Sequence, residues 1–118
     1  MSKQKVNQTL EKQLYKTFYQ LIADLDKPGD AETVLKDLLS ETELTTVAKR
    51  LAVAYWLSKN RSYENVKNNL KVSSASVAEI QKGLKKPGWR LAIAKVTADE
   101  WANVWEEKIK GVFNKSKP

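Results

Sequence analysis

Leu10, Leu14, Phe18, Ile22 and Leu25 recur every three or four residues. That spacing draws one apolar stripe along an α-helix and does not suit a strand, whose faces alternate every second residue. It predicts a helix over about residues 6–26, with Tyr15, Tyr19 and Leu21 widening the stripe. Lys27-Pro28-Gly29 reads as its stop. Asp30 is placed to cap a second helix over 31–39, with Val34, Leu35, Leu38 and Leu39 inward.

The rest of the chain is punctuated in the same way. Ser40-Glu41-Thr42-Glu43 is a capping box, in which the Ser40 hydroxyl and the Glu43 carboxylate each satisfy an orphan amide. It opens a third helix to about residue 58, striped by Leu44, Val47, Leu51 and Ala54 or Tyr55. Ala48 and Ala52 leave room for another helix to approach. After a break at Asn60-Arg61, Ser62 caps a short helix over 63–70. Lys71-Val72-Ser73 is a three-residue turn, and Ser73 or Ser74 caps a fifth helix to about 86, with Val77, Ile80 and Leu84 inward. Pro87-Gly88 reads as its end.

The last segment carries two patterns. Trp89, Leu91 and Ile93 alternate, but Leu91, Ala94, Ala98, Trp101, Trp105, Ile109 and Val112 form a helical seam. Thr97-Ala98-Asp99-Glu100 fits a further capping box. Helix is the better reading, from Trp89 or Ala98 to Phe113, followed by a frayed basic tail over 114–118. The expected fold is therefore all-α, one structural domain of five to six helices.

Charge narrows what such a fold is for. The 118 residues carry a net charge of +7. Between Lys49 and Lys95 eleven basic residues face only two acidic ones, Glu64 and Glu79, a local excess of +9. The remainder is slightly acidic. A concentrated basic block attracts polyanions, because neutralising phosphates releases condensed counterions.

Within that block, residues 62–86 have the design of a helix-turn-helix. In that motif the second helix lies in the major groove of duplex DNA and its N-terminal end points at base edges. Val66, Leu70, Val72, Val77 and Ile80 are expected to join the two helices. Ser74, Ala75, Ser76 and Ala78 then become the candidate base-reading positions, small enough for close approach. Lys67, Lys71, Lys82, Lys85 and Lys86 are the candidate phosphate contacts. Lys71 stands where the turn often has glycine, and a left-handed lysine there is strained by ~1–2 kcal/mol.

Four pieces of this chain, in order and spacing, resemble the Trp repressor-like family: Leu38-Leu39-Ser40-Glu41-Thr42-Glu43-Leu44, then Ala48-Lys49-Arg50-Leu51-Ala52-Val53-Ala54, then Ser62-Tyr63-Glu64, then Leu70-Lys71-Val72-Ser73-Ser74-Ala75-Ser76-Val77. The resemblance covers about residues 38–86. It implies an intertwined homodimer in which terminal helices are exchanged around two DNA-binding heads. On that reading residues 1–39 are dimerisation helices, 40–88 the DNA-binding core, and 89–118 a C-terminal helical segment with its tail. It also implies a place for an effector. Arg50 matches the arginine that holds the carboxylate of a tryptophan corepressor. Glu79 stands where the family has a second arginine stacked on the indole, and Ile80 where it has a glycine that makes room for the ring. A glutamate cannot reproduce a planar guanidinium stack, so DNA binding is expected to carry over and tryptophan corepression is not.

Other classes are less well supported. The chain has no histidine and no cysteine, which removes imidazole bases, thiol nucleophiles, disulfides and the usual zinc sites. No catalytic constellation or phosphate-binding glycine loop is present, so an enzyme is not expected, nor is a cofactor or metal. A protein-interaction module is the main alternative, on the strength of Trp56, Trp89, Trp101 and Trp105; a core or dimer-seam role for them is favoured. Binding to RNA or single strands lacks aromatics interleaved with lysines. No apolar run approaches the ~20 residues of a membrane span. The polar N-terminus lacks a signal-peptide core. The expectation is a cytoplasmic protein with duplex DNA and a second copy of itself as partners, and no membrane.

Overall fold

The computed structural model describes residues 4–99 and 107–110. They form six helices: α1 (Gln8–Asp24), α2 (Pro28–Leu38), α3 (Glu41–Ser58), α4 (Tyr63–Leu70), α5 (Ser74–Gly83) and α6 (Pro87–Ala98). Residues 107–110 are helical as well, one segment more than the five to six helices expected. The described residues include no strand, so Trp89, Leu91 and Ile93 lie in a helix despite their alternation.

The caps explain most of the boundaries. Asn7 starts α1 by accepting the Leu10 amide on its side chain at 2.8 Å. At α3 the Ser40 amide donates to the Glu43 carboxylate at 2.8 Å, and the Glu43 amide donates to the Ser40 hydroxyl at 3.1 Å. This is the reciprocal capping box that the residues predict. Ser62 and Ser73 accept the amides of Asn65 and Ser76, at 3.2 and 3.0 Å, and so start α4 and α5.

Both proline-glycine pairs work differently from their reading as stops. Pro28 and Pro87 are the first residues of α2 and α6, each preceded by an extended lysine, Lys27 and Lys86. Proline suits the first helical position, since its fixed φ is already helical and the missing N–H would have no partner there. Asp30 consequently lies in the first turn of α2 and not at its cap. There its charge still complements the positive end of the helix dipole. Proline also forces its predecessor out of the helical region. Lys86 is therefore extended, and α5 ends at Gly83, three residues earlier than expected. Its last turn closes with Leu84 and Lys86 amides donating to carbonyls three residues back.

The chain divides into two units, residues 1–44 and 45–118. In the first, α1 and α2 contain no buried residue. Leu10, Leu14, Phe18 and Ile22 are 42–54% exposed. On α2, Val34 and Leu35 are half-buried, as is Leu39 just after it, whereas Leu38 is exposed despite its inward assignment.

The second unit holds the core. Six consecutive residues of α3, Ala52 to Leu57, are buried, so this stretch of the helix is enclosed all round. A single stripe was expected, and Val47, one of its members, is exposed. Val66 from α4, Val77 and Ile80 from α5, and Ile109 complete the buried cluster. Trp56 is part of it and half-buried Trp89 packs against it, which gives both tryptophans a core role.

The C-terminal seam is only partly realised. Ile109 is buried, but Leu91, Ala94 and Ala98 are exposed, and α6 faces the core with Ile93 and Val96 instead. Thr97 is helical, so it caps nothing; Asp99, extended, ends α6. Trp101, Trp105, Val112, Glu100 and the tail lie outside the described residues. No helix among the described residues is long and apolar enough to cross a membrane.

Candidate nucleic-acid interface

Helices α4 and α5 are joined by Lys71-Val72-Ser73, as the sequence pattern predicts. Lys71 is left-handed, with φ 54° and ψ 54°. Its amide and that of Val72 both bond back to the Lys67 carbonyl, the second at 3.3 Å. This is a Schellman-type helix end carried by a lysine where glycine is usual. Asn60 ends α3 in the same way, with φ 63°. The amides of Asn60 and Arg61 donate to Leu57 and Trp56.

The two helices are held by the residues assigned to that task. Val66 and Val77 are fully buried, Ile80 is 8% exposed, and Leu70 and Val72 pack against them. Burying this face turns the other face of α5 outward. Ser74, Ala75, Ser76, Glu79, Gln81 and Lys82 are exposed there, while Ala78 is half-buried and less available than its three companions. The Ser73 hydroxyl accepts the Ser76 amide and donates to the Ser76 hydroxyl at 2.8 Å. One lone pair of the Ser76 oxygen is thereby used, which leaves its proton to be donated outward.

The candidate phosphate lysines are spread along the motif. Lys67 is half-buried on α4 and Lys71 is exposed in the turn. Lys82 is exposed on the last turn of α5, Lys85 follows it, and Lys86 caps α6. Ten residues of helix span ~15 Å, so these charges bracket α5 at both ends.

A cleft of about 590 Å³ opens beside the N-terminal end of α5. Arg50 and Glu79, the two candidate effector residues, both line it, with Lys49, Lys71, Ser73 and Ile80 among the others. The structure thus brings together residues that lie about thirty apart in sequence. Among the described residues Glu79 forms no ion pair with the nearby Lys82. Sequence reasoning missed the part played by Lys49, whose ammonium donates to the Lys71 carbonyl at 3.3 Å. A lysine beside a helix C-terminus can satisfy an orphan carbonyl, but the 22-residue separation hid this contact.

Comparison with curated proteins and with solved structures finds no match. A family model does match. It is described as Trp repressor protein and covers residues 13–96, from within α1 to the last turn of α6. That span takes in most of the chain and the whole helix-turn-helix, and the chain belongs to the Trp repressor family.

Proposed function

We propose that this chain is a sequence-specific regulator of transcription, a repressor, that binds duplex DNA by laying α5 in the major groove. The observation that carries this reading is the division of α5 into two faces. Val77 and Ile80 are buried against α4, and Ser74, Ala75 and Ser76 stand exposed at the end that this motif aims at base edges. Lys67, Lys71, Lys82, Lys85 and Lys86 supply phosphate contacts that fix orientation without reading sequence.

The working form is a homodimer. Residues 1–39 and 89–118 furnish its seam, and 40–88 the DNA-binding core. The uncovered apolar stripe of α1 supports this, as does the geometry of duplex recognition, in which two recognition helices enter successive major grooves ~34 Å apart. Its place of action is the cytoplasm.

Free tryptophan is not its corepressor. Glu79 lines the cleft with Arg50, and a carboxylate there opposes the ligand's own carboxylate. Like charges ~4 Å apart repel by ~4 kcal/mol at an effective dielectric of about 20. Ile80 fills space that an indole would need.

Selection of bound sites from random duplexes, followed by mobility shifts over a salt series, tests the reading. One preferred motif is expected, with affinity falling steeply as salt rises. Equal affinity for all duplexes, or for RNA, would overturn it. Calorimetry with L-tryptophan, with and without the selected duplex, is expected to give no heat of binding. Micromolar binding that tightens DNA affinity would restore the corepressor role.

A further inference from the structure

We propose that Lys49 is a positioning residue for α5, acting through the main chain of the turn and not on nucleic acid. The functional consequence rests on the DNA-binding reading above; the cause rests on the protein alone.

The turn between α4 and α5 sets the direction of the recognition helix, and it is held in a conformation that a lysine disfavours. Its amides are satisfied internally, because the N–H groups of Lys71 and Val72 share the Lys67 carbonyl. The Lys71 carbonyl is not used by that arrangement. Its donor is the Lys49 ammonium, 3.3 Å away. Lys49 is half-buried and stands on α3 just before the enclosed stretch that begins at Ala52. One end of the link is thus anchored in the core, and the other grips the peptide that a left-handed residue would otherwise release. A charged donor makes a stronger bond than a neutral one.

Geometry shows why the grip matters. Lys82 is the ninth residue of α5, ~12 Å from its start at 1.5 Å per residue. A tilt of about 10° at the turn moves it by roughly 2 Å. Recognition groups tolerate about 0.5 Å before their contacts degrade. Lys49 therefore governs how well α5 discriminates between sequences, although it reads none of them.

The test uses the full-length chain and three variants: K49M, K49R and the double variant K49M/K71G. Methionine keeps the packing of the lysine stem and removes the ammonium. In the free protein K49M is expected to speed amide exchange at Lys71 and Val72 several-fold, with Val53 and Val66 unchanged. With DNA, the ratio of affinities for a selected and a scrambled duplex is expected to fall ~3–10-fold while the salt slope holds. K49R is expected to keep both properties. K71G removes a phosphate contact and weakens all duplexes alike, but it relaxes the left-handed turn. In the double variant K49M/K71G the discrimination ratio is therefore expected to recover. A lysine that simply bound phosphate would give the opposite pattern: uniform weakening, a slope shallower by ~0.9, and unaltered exchange. That pattern overturns the proposal. If the unaltered protein binds no duplex, the DNA-binding reading fails, and amide exchange at the turn still decides whether Lys49 holds it.

Discussion

Helices α1 and α4 are both amphipathic, yet they end in opposite situations. The eight-residue α4 buries Val66 completely, whereas the 17-residue α1 buries nothing. A helix this short is stabilised mainly by what its apolar face packs against. For α4 that support comes from α5 and the end of α3, within the same chain. On α1 no residue is buried: Leu14 and Tyr15 are each 54% exposed and Tyr19 is 64% exposed. Tyr15 and Tyr19 do stack on each other, with ring centroids 6.2 Å apart. The periodicity of a stripe says that a face is suited to burial. It does not say whether the covering surface is in the same molecule. In the second unit that surface is internal; for α1 the homodimer supplies it in our reading.

The largest expected effect tests that contrast directly. Tyr55→Ala removes a side chain that is 1% exposed and is expected to destabilise by about 3–5 kcal/mol. Its shift in urea midpoint should not depend on protein concentration beyond the dependence of the parent. Phe18→Ala, at a position 42% exposed, is expected to lose stability mainly at low concentration and to favour monomers in light scattering. If Phe18→Ala leaves a monomeric parent unchanged, α1 needs no partner, and the homodimer reading falls with it.

The next contrast lies within the recognition motif. Ser76→Ala removes the outward donor and is expected to change discrimination at one base position by ~1–3 kcal/mol, with the salt slope kept. Lys85→Ala is expected to weaken all duplexes alike and to reduce the slope by ~0.9. Quantitative binding to a panel of single-base variants at several salt concentrations separates the two. Identical profiles for both would remove the assignment of reading and anchoring roles.

Much of this organisation was legible in the residues. Ser40 and Glu43 announce a helix start because both halves of a capping box sit three residues apart, and no distant group is needed. Val66, Val77 and Ile80 were legible for the same reason: local spacing defines the face they share. The Lys-Pro-Gly segments were misread because proline marks a boundary without saying on which side the helix lies. At Pro28 and Pro87 the missing N–H falls on a first turn, where it is harmless. The six-residue buried run of α3 was not legible, since enclosure on all sides leaves no period to detect. Nor was Lys49, whose partner is a main-chain carbonyl and therefore leaves no side-chain signal at position 71.

The two left-handed helix ends offer a smaller and cleaner comparison. Asn60 and Lys71 have nearly equal φ, 63° and 54°, but asparagine visits this region more readily than other non-glycine residues. Lys71→Gly is expected to stabilise the fold by up to about 1 kcal/mol, as the relieved strain outweighs the added freedom of the unfolded chain. Asn60→Gly is expected to change it by only a few tenths. Thermal unfolding of the two variants at one concentration checks this. A larger gain at Asn60 than at Lys71 would mean that the Lys71 turn is not strained in solution.

The smallest effect is expected at the start of α3, at the edge of the first unit. The Glu43 carboxyl is held below its ordinary value of 4.5, chiefly by the Ser40 amide and further by the Ser40 hydroxyl. A lowered native pKa means that the folded state favours the charged form. The resulting stability is fully present above the unfolded value and is lost as pH falls through the native one. Glu43→Gln keeps an acceptor for the Ser40 amide but cannot titrate. The stability gap between parent and variant should therefore be constant at neutral pH and close on acidification below about pH 4.5. Because Glu43 is fully exposed, solvent and salt screen the interaction, so the gap should also narrow at high ionic strength. Paired urea titrations across the carboxylate range measure it as a difference, in which the other acids cancel. A gap that survives acidification unchanged would show that the capping box owes its strength to hydrogen-bond geometry alone and nothing to the charge on Glu43.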